Sequence, residues 1–410
     1  MKRKVHYAWI IAVFAMLISG AGSGIFISTL GVFVKPVCEL YGFQRASFTL
    51  YSTIFFIVNV TMMPIYGNLF RNFGFKKVSL VSALMCALSL LIYSFSNKLW
   101  MFYAAALLSG LFINGISIMA VGILVNTWFE DSRGLASGLA FSGSGIIAAI
   151  LLPTCNTLIE SHGTAFTYRA LMIIELLITV PVILFVLKDK PEDMGLAAYK
   201  KAGSVPGAGD VPADLKGITR SEAFKRISFW MLFFSTVGIA VCQAGPNSNT
   251  VSILNDIGYT SAYSARISSI YMVLLTVCKI IMGGVFDRLG SLRGSMLIGA
   301  ALVLFPIAAQ FNHISWMPYL YVLLLALASS GSTVLGSYLT GSYFGKKDYA
   351  RIFSIISLGI QLGAAFSTPI FGRVYDTTGG YFYAWIFVTV LAVIVVGALI
   401  TAYIRRPVRT

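Results

Sequence analysis

The 410-residue chain is 58% hydrophobic and only 11% charged, with a mean hydropathy of +0.84. These values exclude a soluble globular protein, because no soluble core is large enough to bury so much apolar surface. The formal net charge of +15 comes from basic residues in short stretches between apolar segments, which is typical of loops on one side of a membrane and not of a nucleic-acid-binding surface.

Twelve apolar runs follow one another along the chain, and each is long enough to cross about 30 Å of hydrocarbon as a helix. The first is predicted over Tyr7–Val34 and the seventh over Phe229–Thr250. The pattern predicts an all-α membrane protein.

The positions of the basic residues predict the orientation. Of the 30 Lys and Arg residues, 23 fall in the ends and loops that would face the cytosol if both termini are cytosolic. Six lie in outward loops or helix mouths, and the remaining one is Lys279. This strong bias predicts cytosolic termini. Short loops and the lack of a targeting presequence favour a prokaryotic inner, or plasma, membrane.

A polar stretch at 188–226 interrupts the apolar rhythm with prolines, glycines and eight basic residues. It predicts a cytosolic linker between a six-helix half at 1–187 and a second at 227–410. The halves share a motif, because Gly67, Arg71 and Gly74 have the same spacing as Gly283, Asp287 and Gly290. The shared spacing predicts the same tight turn after the second and the eighth helix.

Several motifs carry a resemblance to a known family. The segment GGVFDRLGS begins at Gly283, and longer matches cover Thr127–Gly145 (TWFEDSRGLASGLAFSGSG), Lys190–Leu196 (KPEDMGL) and Ser342–Tyr381. Together they resemble the major facilitator superfamily, in the branch of monocarboxylate transporters and oxalate/formate antiporters. The resemblance implies twelve helices in two halves and gradient-driven transport by alternating access. Signature-loop residues carried over are Gly67, Gly74, Gly283, Asp287, Arg288 and Gly290.

The first signature loop departs from the family at Arg71, where the family carries an acidic residue thought to help close the cytosolic side. Only the Asp287 copy of that role is therefore carried over. The simpler interpretation of Arg71 is that it keeps the loop at the inner membrane surface.

Lys279 is the one basic residue deep inside a predicted span, and burying a charge there costs at least about 2.5 kcal/mol. It lies eight residues before Asp287, or about 12 Å along a helix, near the membrane midplane. In the family a substrate-binding arginine has this spacing, which implies that Lys279 binds the substrate carboxylate. The alternative is that Lys279 snorkels or pairs within the protein.

Two differences from the family concern coupling and substrate charge. Proton-linked monocarboxylate transporters share an Asp at the position where this chain has Leu275. Oxalate/formate antiporters carry a second lysine at the position where this chain has Gln361. Glu175 is the only other charge well inside a span. It is either a protonation site or an acid near the outer interface that pairs or stays neutral.

The remaining polar residues of the spans supply the other candidates. Most are expected to form hydrogen bonds between helices. The proposed substrate-binding set beside Lys279 is Asn249, Gln361, Ser28, Asn114 and Tyr271. No histidine pairs with a nucleophile and no metal-ligand spacing is present in the sequence, so we expect neither an enzyme nor a cofactor or metal.

The leading hypothesis is a secondary transporter of small organic anions, above all monocarboxylates, that is proton-linked or exchanges anions. Its partners would be a small carboxylate, protons in the coupled case, and the lipid bilayer, with a monomer as the expected state. One alternative is an exporter of lipophilic or cationic compounds that uses Glu175. An alternative of another class is a membrane sensor that does not transport and signals through the linker.

Overall fold

The computed structural model describes residues 6–200 and 217–408, and within these ranges it forms helices and no extended strands. Ten of the described helices are long and apolar enough to cross a membrane, and two of them are each divided by a glycine, which gives twelve spans. They are span 1 (Tyr7–Tyr41), span 2 (Ser47–Phe73), span 3 (Phe75–Phe95), span 4 (Leu99–Trp128), spans 5 and 6 (Arg133–Val186, divided at Gly163), span 7 (Ile227–Asp256), spans 8 and 9 (Ala262–Gln310, divided at Gly290), span 10 (Met317–Phe344), span 11 (Tyr349–Thr378) and span 12 (Phe382–Ile404).

The predicted all-α, twelve-span fold is confirmed, but several helices extend beyond their apolar runs. Span 1 continues past Val34 to Tyr41, and span 7 continues past Thr250 to Asp256. Helical hydrogen bonding does not stop where the hydrocarbon ends, so hydropathy alone underestimates helix length.

The described residues form two compact units, one of residues 6–131 and 139–200 and the other of residues 132–138 and 217–408. The first turn of span 5 therefore packs with the second unit. Within the predicted linker, residues 201–216 lie outside the described part of the chain.

The two signature loops adopt the same turn. Gly74, between spans 2 and 3, has φ 80° and ψ 168°, and Gly290, between spans 8 and 9, has φ 78° and ψ 176°. A positive φ of this kind favours glycine because a Cβ atom would be strained there. The shared spacing of the two loops thus corresponds to a shared backbone conformation.

Span 4 is broken in its middle. A helix over Leu99–Phe112 ends in a 3₁₀ turn at Ile113–Gly115, and a second helix begins at Ile118 after Ser117, whose hydroxyl accepts the N–H of Met119 at 3.4 Å. Backbone carbonyls freed by the break find side-chain donors within the first unit. Gly115 O accepts from Ser79 Oγ at 2.7 Å, as irregular backbone requires at membrane depth.

Span 1 is irregular where it meets this break. Its middle, Gly20–Thr29, is a π-helical stretch. A Cβ atom on Gly22 would overlap the carbonyl oxygen of Ile116, so the two spans touch through their backbones at this point. The glycine-rich sequence of span 1 permits this close approach.

The described ends of the linker are each fastened to their own unit. In the first unit, the N–H of Tyr199 donates to Trp128 O at 2.9 Å, and Tyr199 O accepts the N–H of Glu130 at 3.0 Å. In the second unit, the N–H of Ile218 donates to Phe344 O at 3.0 Å, and a short helix follows at Arg220–Phe224.

Candidate functional site

Lys279 lies on span 8 in the second unit, and 6% of the residue is exposed. It is eight residues, or about 12 Å along the helix, from Asp287, and eleven residues, or about 16 Å, from the turn at Gly290. An ammonium group enclosed at this depth is costly, and such residues mark substrate or ion pathways.

The backbone of Lys279 is in close contact with the first turns of span 5. A Cβ atom on Gly138 would overlap the carbonyl oxygen of Lys279. One turn further along, a Cβ on Gly134 would overlap the carbonyl of Gly283, and a Cβ on Gly283 would overlap the carbonyl of Gly134. Residues 134–138 therefore pack against span 8 without any intervening side chain, as small residues allow between membrane helices.

Asp287 holds the start of span 5. Its Oδ1 accepts the backbone N–H of Gly134 at 2.8 Å, and its Oδ2 accepts the N–H of Leu135 at 2.7 Å. The helix begins at Arg133, so these N–H groups are in its first turn and have no partner within the helix. A carboxylate there also complements the positive end of the helix dipole. Asp287 and Gly138 thus fix residues 134–138 against the stretch that carries Lys279.

The other sequence candidates of the second unit differ in their surroundings. Tyr271 is 2% exposed and donates its hydroxyl to Ser329 Oγ at 3.1 Å, which joins span 8 to span 10. Asn249 is half-buried and donates from Nδ2 to Gly245 O of its own helix at 2.8 Å. Gln361 is half-buried on span 11. Asn249 and Gln361 therefore retain some accessible surface, whereas Tyr271 is enclosed between helices.

The candidates of the first unit lie near its two irregular spans. Asn114 is fully buried in the break of span 4, and its Nδ2 donates to Asn59 O of span 2 at 2.9 Å. Ser28 is exposed in the π-helical stretch of span 1. The hydrogen bond of Asn114 thus joins span 4 to span 2.

Glu175 is enclosed in the first unit on span 6, where it has no exposed surface. Its Oε1 accepts the hydroxyl of Thr179, one turn later on the same helix, at 3.0 Å. Its Oε2 has no hydrogen-bond partner among the described residues. The hydrogen bond of the Glu175 carboxyl group thus comes from a residue of its own helix.

The remaining signature-loop residues occupy the ends of their spans. Gly67 is buried in the last two turns of span 2, and Arg71 is exposed beyond it. Arg288 is likewise exposed, directly after Asp287. The two loops share a turn but carry opposite charges at the position of Arg71 and Asp287.

Sequence reasoning missed Gly134 and Gly138 as part of this site. The signal was present in the segment Gly-Leu-Ala-Ser-Gly at 134–138, because glycines four residues apart form the GxxxG pattern of closely packed membrane helices. The pattern does not name the partner helix, and only the fold pairs these glycines with Lys279 and Gly283.

The chain is similar to several known proteins. The family model described as Major Facilitator Superfamily matches residues 12–265 and 232–410. The oxalate:formate antiporter of Oxalobacter formigenes is 23% identical over 88% of this chain and 85% of its own length. Monocarboxylate transporter 2 of Mus musculus is 26% identical over 38% of this chain and 32% of its own length.

A solved structure shares the fold. The crystal structure of the major facilitator transporter FucP, in the outward conformation, matches with a TM-score of 0.73 at 15% identity, over 98% of this chain and 99% of that one. At this identity the match shows the fold alone. Together with the family match over nearly the whole length, it establishes that this multi-pass membrane chain belongs to the Major Facilitator Superfamily of transporters.

Proposed function

We propose that this transporter carries small monocarboxylates by alternating access and that Lys279 binds the carboxylate group. The observation that carries the proposal is the enclosed side chain of Lys279 on span 8, whose backbone is held by its close contact with Gly138. A buried cation in a membrane span supplies the attraction that an organic anion needs to leave water. Transport by either proton coupling or anion exchange fits this arrangement.

Similarity supports the same class of substrate. Two relatives are named for carboxylate transport, one for oxalate and formate and one for monocarboxylates. The second unit also contains Asn249 and Gln361, whose neutral, half-buried side chains are suited to orient a substrate by hydrogen bonds. One ammonium balances one carboxylate, which favours a monoanion.

The signature loops are proposed to control the conformational change. Asp287 accepts hydrogen bonds from the start of span 5. These hydrogen bonds would break when the first turns of span 5 move away from span 8 during the conformational change. Gly74 and Gly290 supply the turns that keep each loop short. The proposed setting is a monomer in the plasma membrane, with both termini in the cytosol, as the distribution of basic residues favours.

An exporter of lipophilic or cationic compounds is less well supported. It would need Glu175 as its charged contact, and that carboxyl is enclosed in the first unit and bonded to Thr179. The alternative of a membrane sensor that does not transport is favoured only by the presence of the linker.

The proposal is tested by uptake of radiolabelled formate, acetate, lactate and pyruvate into proteoliposomes, with and without a pH gradient. Wild-type protein is expected to take up at least one of these acids saturably. Lys279→Gln is expected to abolish this uptake, because the amide removes the positive charge that attracts the carboxylate, and size exclusion checks that the purified variant stays folded.

Lys98→Gln is the matched control, since Lys98 is an exposed basic residue at the end of a span. It is expected to transport like the wild type. Normal uptake by the Lys279→Gln variant, or no uptake of any carboxylate by the wild type, would contradict the proposal.

A further inference from the structure

We infer that the second unit binds an anionic phospholipid where the linker meets span 7. The site consists of the short helix Arg220–Phe224, the first two turns of span 7, the loop at 345–348 and the first turn of span 11, all in the second unit. It includes no residue of the proposed substrate-binding set.

An apolar stripe marks the path of an acyl chain. Ile227, Trp230 and Phe234 are 55%, 42% and 55% exposed, and their spacing places them on one face of span 7. The indole N–H of Trp230 donates to Phe224 O at 3.0 Å, which anchors the ring at the start of the span. Tryptophan in this position is typical of the boundary between headgroups and hydrocarbon.

Basic residues surround the start of the stripe. Lys225 and Arg226 are exposed directly before span 7. The first turn of span 11 adds Arg351, and the loop at 345–348 adds Lys346 and Lys347. It is tied to the linker helix by Asp348, whose Oδ2 accepts the N–H of Arg220 at 3.0 Å. Arg220 brings the number of basic residues in the site to six. The site also contains two acidic residues, Glu222 and Asp348, so its formal net charge is +4.

Both acidic residues accept backbone hydrogen bonds, and Asp348 Oδ1 also lies 3.9 Å from Arg351 Nη1. Glu222 Oε2 accepts the N–H of Thr219 at 2.7 Å and its hydroxyl at 2.9 Å. The backbone hydrogen bond from Thr219, followed by the one from its hydroxyl, lowers the pKa of Glu222. Asp348 accepts the N–H of Arg220 in the same manner. The two carboxylates therefore stabilise the local fold, and the surface retains its excess of positive charge.

The adjoining charge and apolar stripe favour a phospholipid over a soluble anion. A free phosphate would be attracted by the basic residues alone. A lipid also covers Ile227, Trp230 and Phe234 with an acyl chain while its phosphate meets Lys225 and Arg226. A zwitterionic headgroup carries a compensating cation, so an anionic lipid is the better match.

The test measures quenching of Trp230 by lipids with brominated chains. The protein is placed in phosphatidylcholine nanodiscs that contain equal fractions of either brominated phosphatidylglycerol or brominated phosphatidylcholine. The signal of Trp230 is the difference between the wild type and Trp230→Phe. Brominated phosphatidylglycerol is expected to quench it about twofold more strongly than brominated phosphatidylcholine.

The double variant Lys225→Gln, Arg226→Gln is expected to lose this preference. Arg373→Gln, which removes an exposed charge near the opposite end of span 11, is expected to keep it. Both are checked for a monodisperse fold by size exclusion. Equal quenching by the two lipids in the wild type, or an unchanged preference in the double variant, would overturn the inference. Displacement of the brominated phosphatidylglycerol by millimolar inorganic phosphate would also overturn it, since the site would then be one for free phosphate.

Discussion

Gly138 lies against the backbone carbonyl oxygen of Lys279, so closely that even a methyl group would not fit between them. The contact lets a polar backbone at membrane depth pack tightly beside the residue proposed to bind substrate. It also makes the size of residue 138 a direct probe of the site.

Gly138→Ala is expected to destabilise the protein by about 1–3 kcal/mol, because the added carbon forces residues 134–138 away from span 8. Thermal unfolding in detergent, together with carboxylate uptake, measures the effect. Gly397→Ala is the matched control, since Gly397 is on span 12 and a Cβ atom there meets nothing within 4 Å. Equal melting temperatures for the two variants would contradict the observed packing.

Lys279→Arg is expected to retain part of the uptake that Lys279→Gln loses. The guanidinium keeps the positive charge and grips a carboxylate with two donors, but it is larger than the ammonium that this enclosed position holds. Initial rates in proteoliposomes over a range of substrate concentrations measure this. An Arg variant as inactive as the Gln variant would show that charge alone does not explain the role of Lys279.

Asp287→Asn is expected to lower the maximum transport rate with little change in apparent KM. The amide has one oxygen acceptor, so one of the two N–H groups of Gly134 and Leu135 loses its partner, and the other loses a charge-assisted bond. Asp376→Asn, at an exposed carboxylate of span 11, controls for loss of charge. A large rise in KM with an unchanged maximum rate would place Asp287 in substrate binding instead.

Glu175→Gln is expected to transport with an unchanged pH profile. The amide oxygen of Gln can still accept the hydroxyl of Thr179, so the local structure is preserved while the titratable group is removed. Uptake measured from pH 5 to 8, roughly the range in which transport coupling is usually tested, checks this. A flattened profile would make Glu175 the proton carrier.

Monocarboxylates are expected to compete for the site far better than oxalate. A dianion facing the single ammonium of Lys279 leaves one negative charge uncompensated in a medium of low dielectric constant, at a cost on the order of several kcal/mol. Gln361 supplies no second charge. Inhibition of labelled formate uptake by each acid gives the ranking. Tighter binding of oxalate than of every monocarboxylate would require another cation to join the site.

The sequence alone determined the features that depend on local chemistry. Twelve spans follow from hydropathy and length, because each helix satisfies its own backbone in hydrocarbon. The shared turn at Gly74 and Gly290 follows from spacing, because a positive φ favours glycine whatever lies around it. Lys279 was recognisable because a charge inside an apolar run is costly wherever the helix packs.

The tertiary structure alone decided which backbones meet. The sequence marks Gly134, Gly138 and Asp287 as small or acidic, but it does not show that Asp287 caps span 5 or that Gly138 faces Lys279. It likewise does not show that the break of span 4 is supported by Ser79 of span 3. Such contacts join residues more than thirty positions apart, and the close approach of whole helices sets them, not the preference of any single residue.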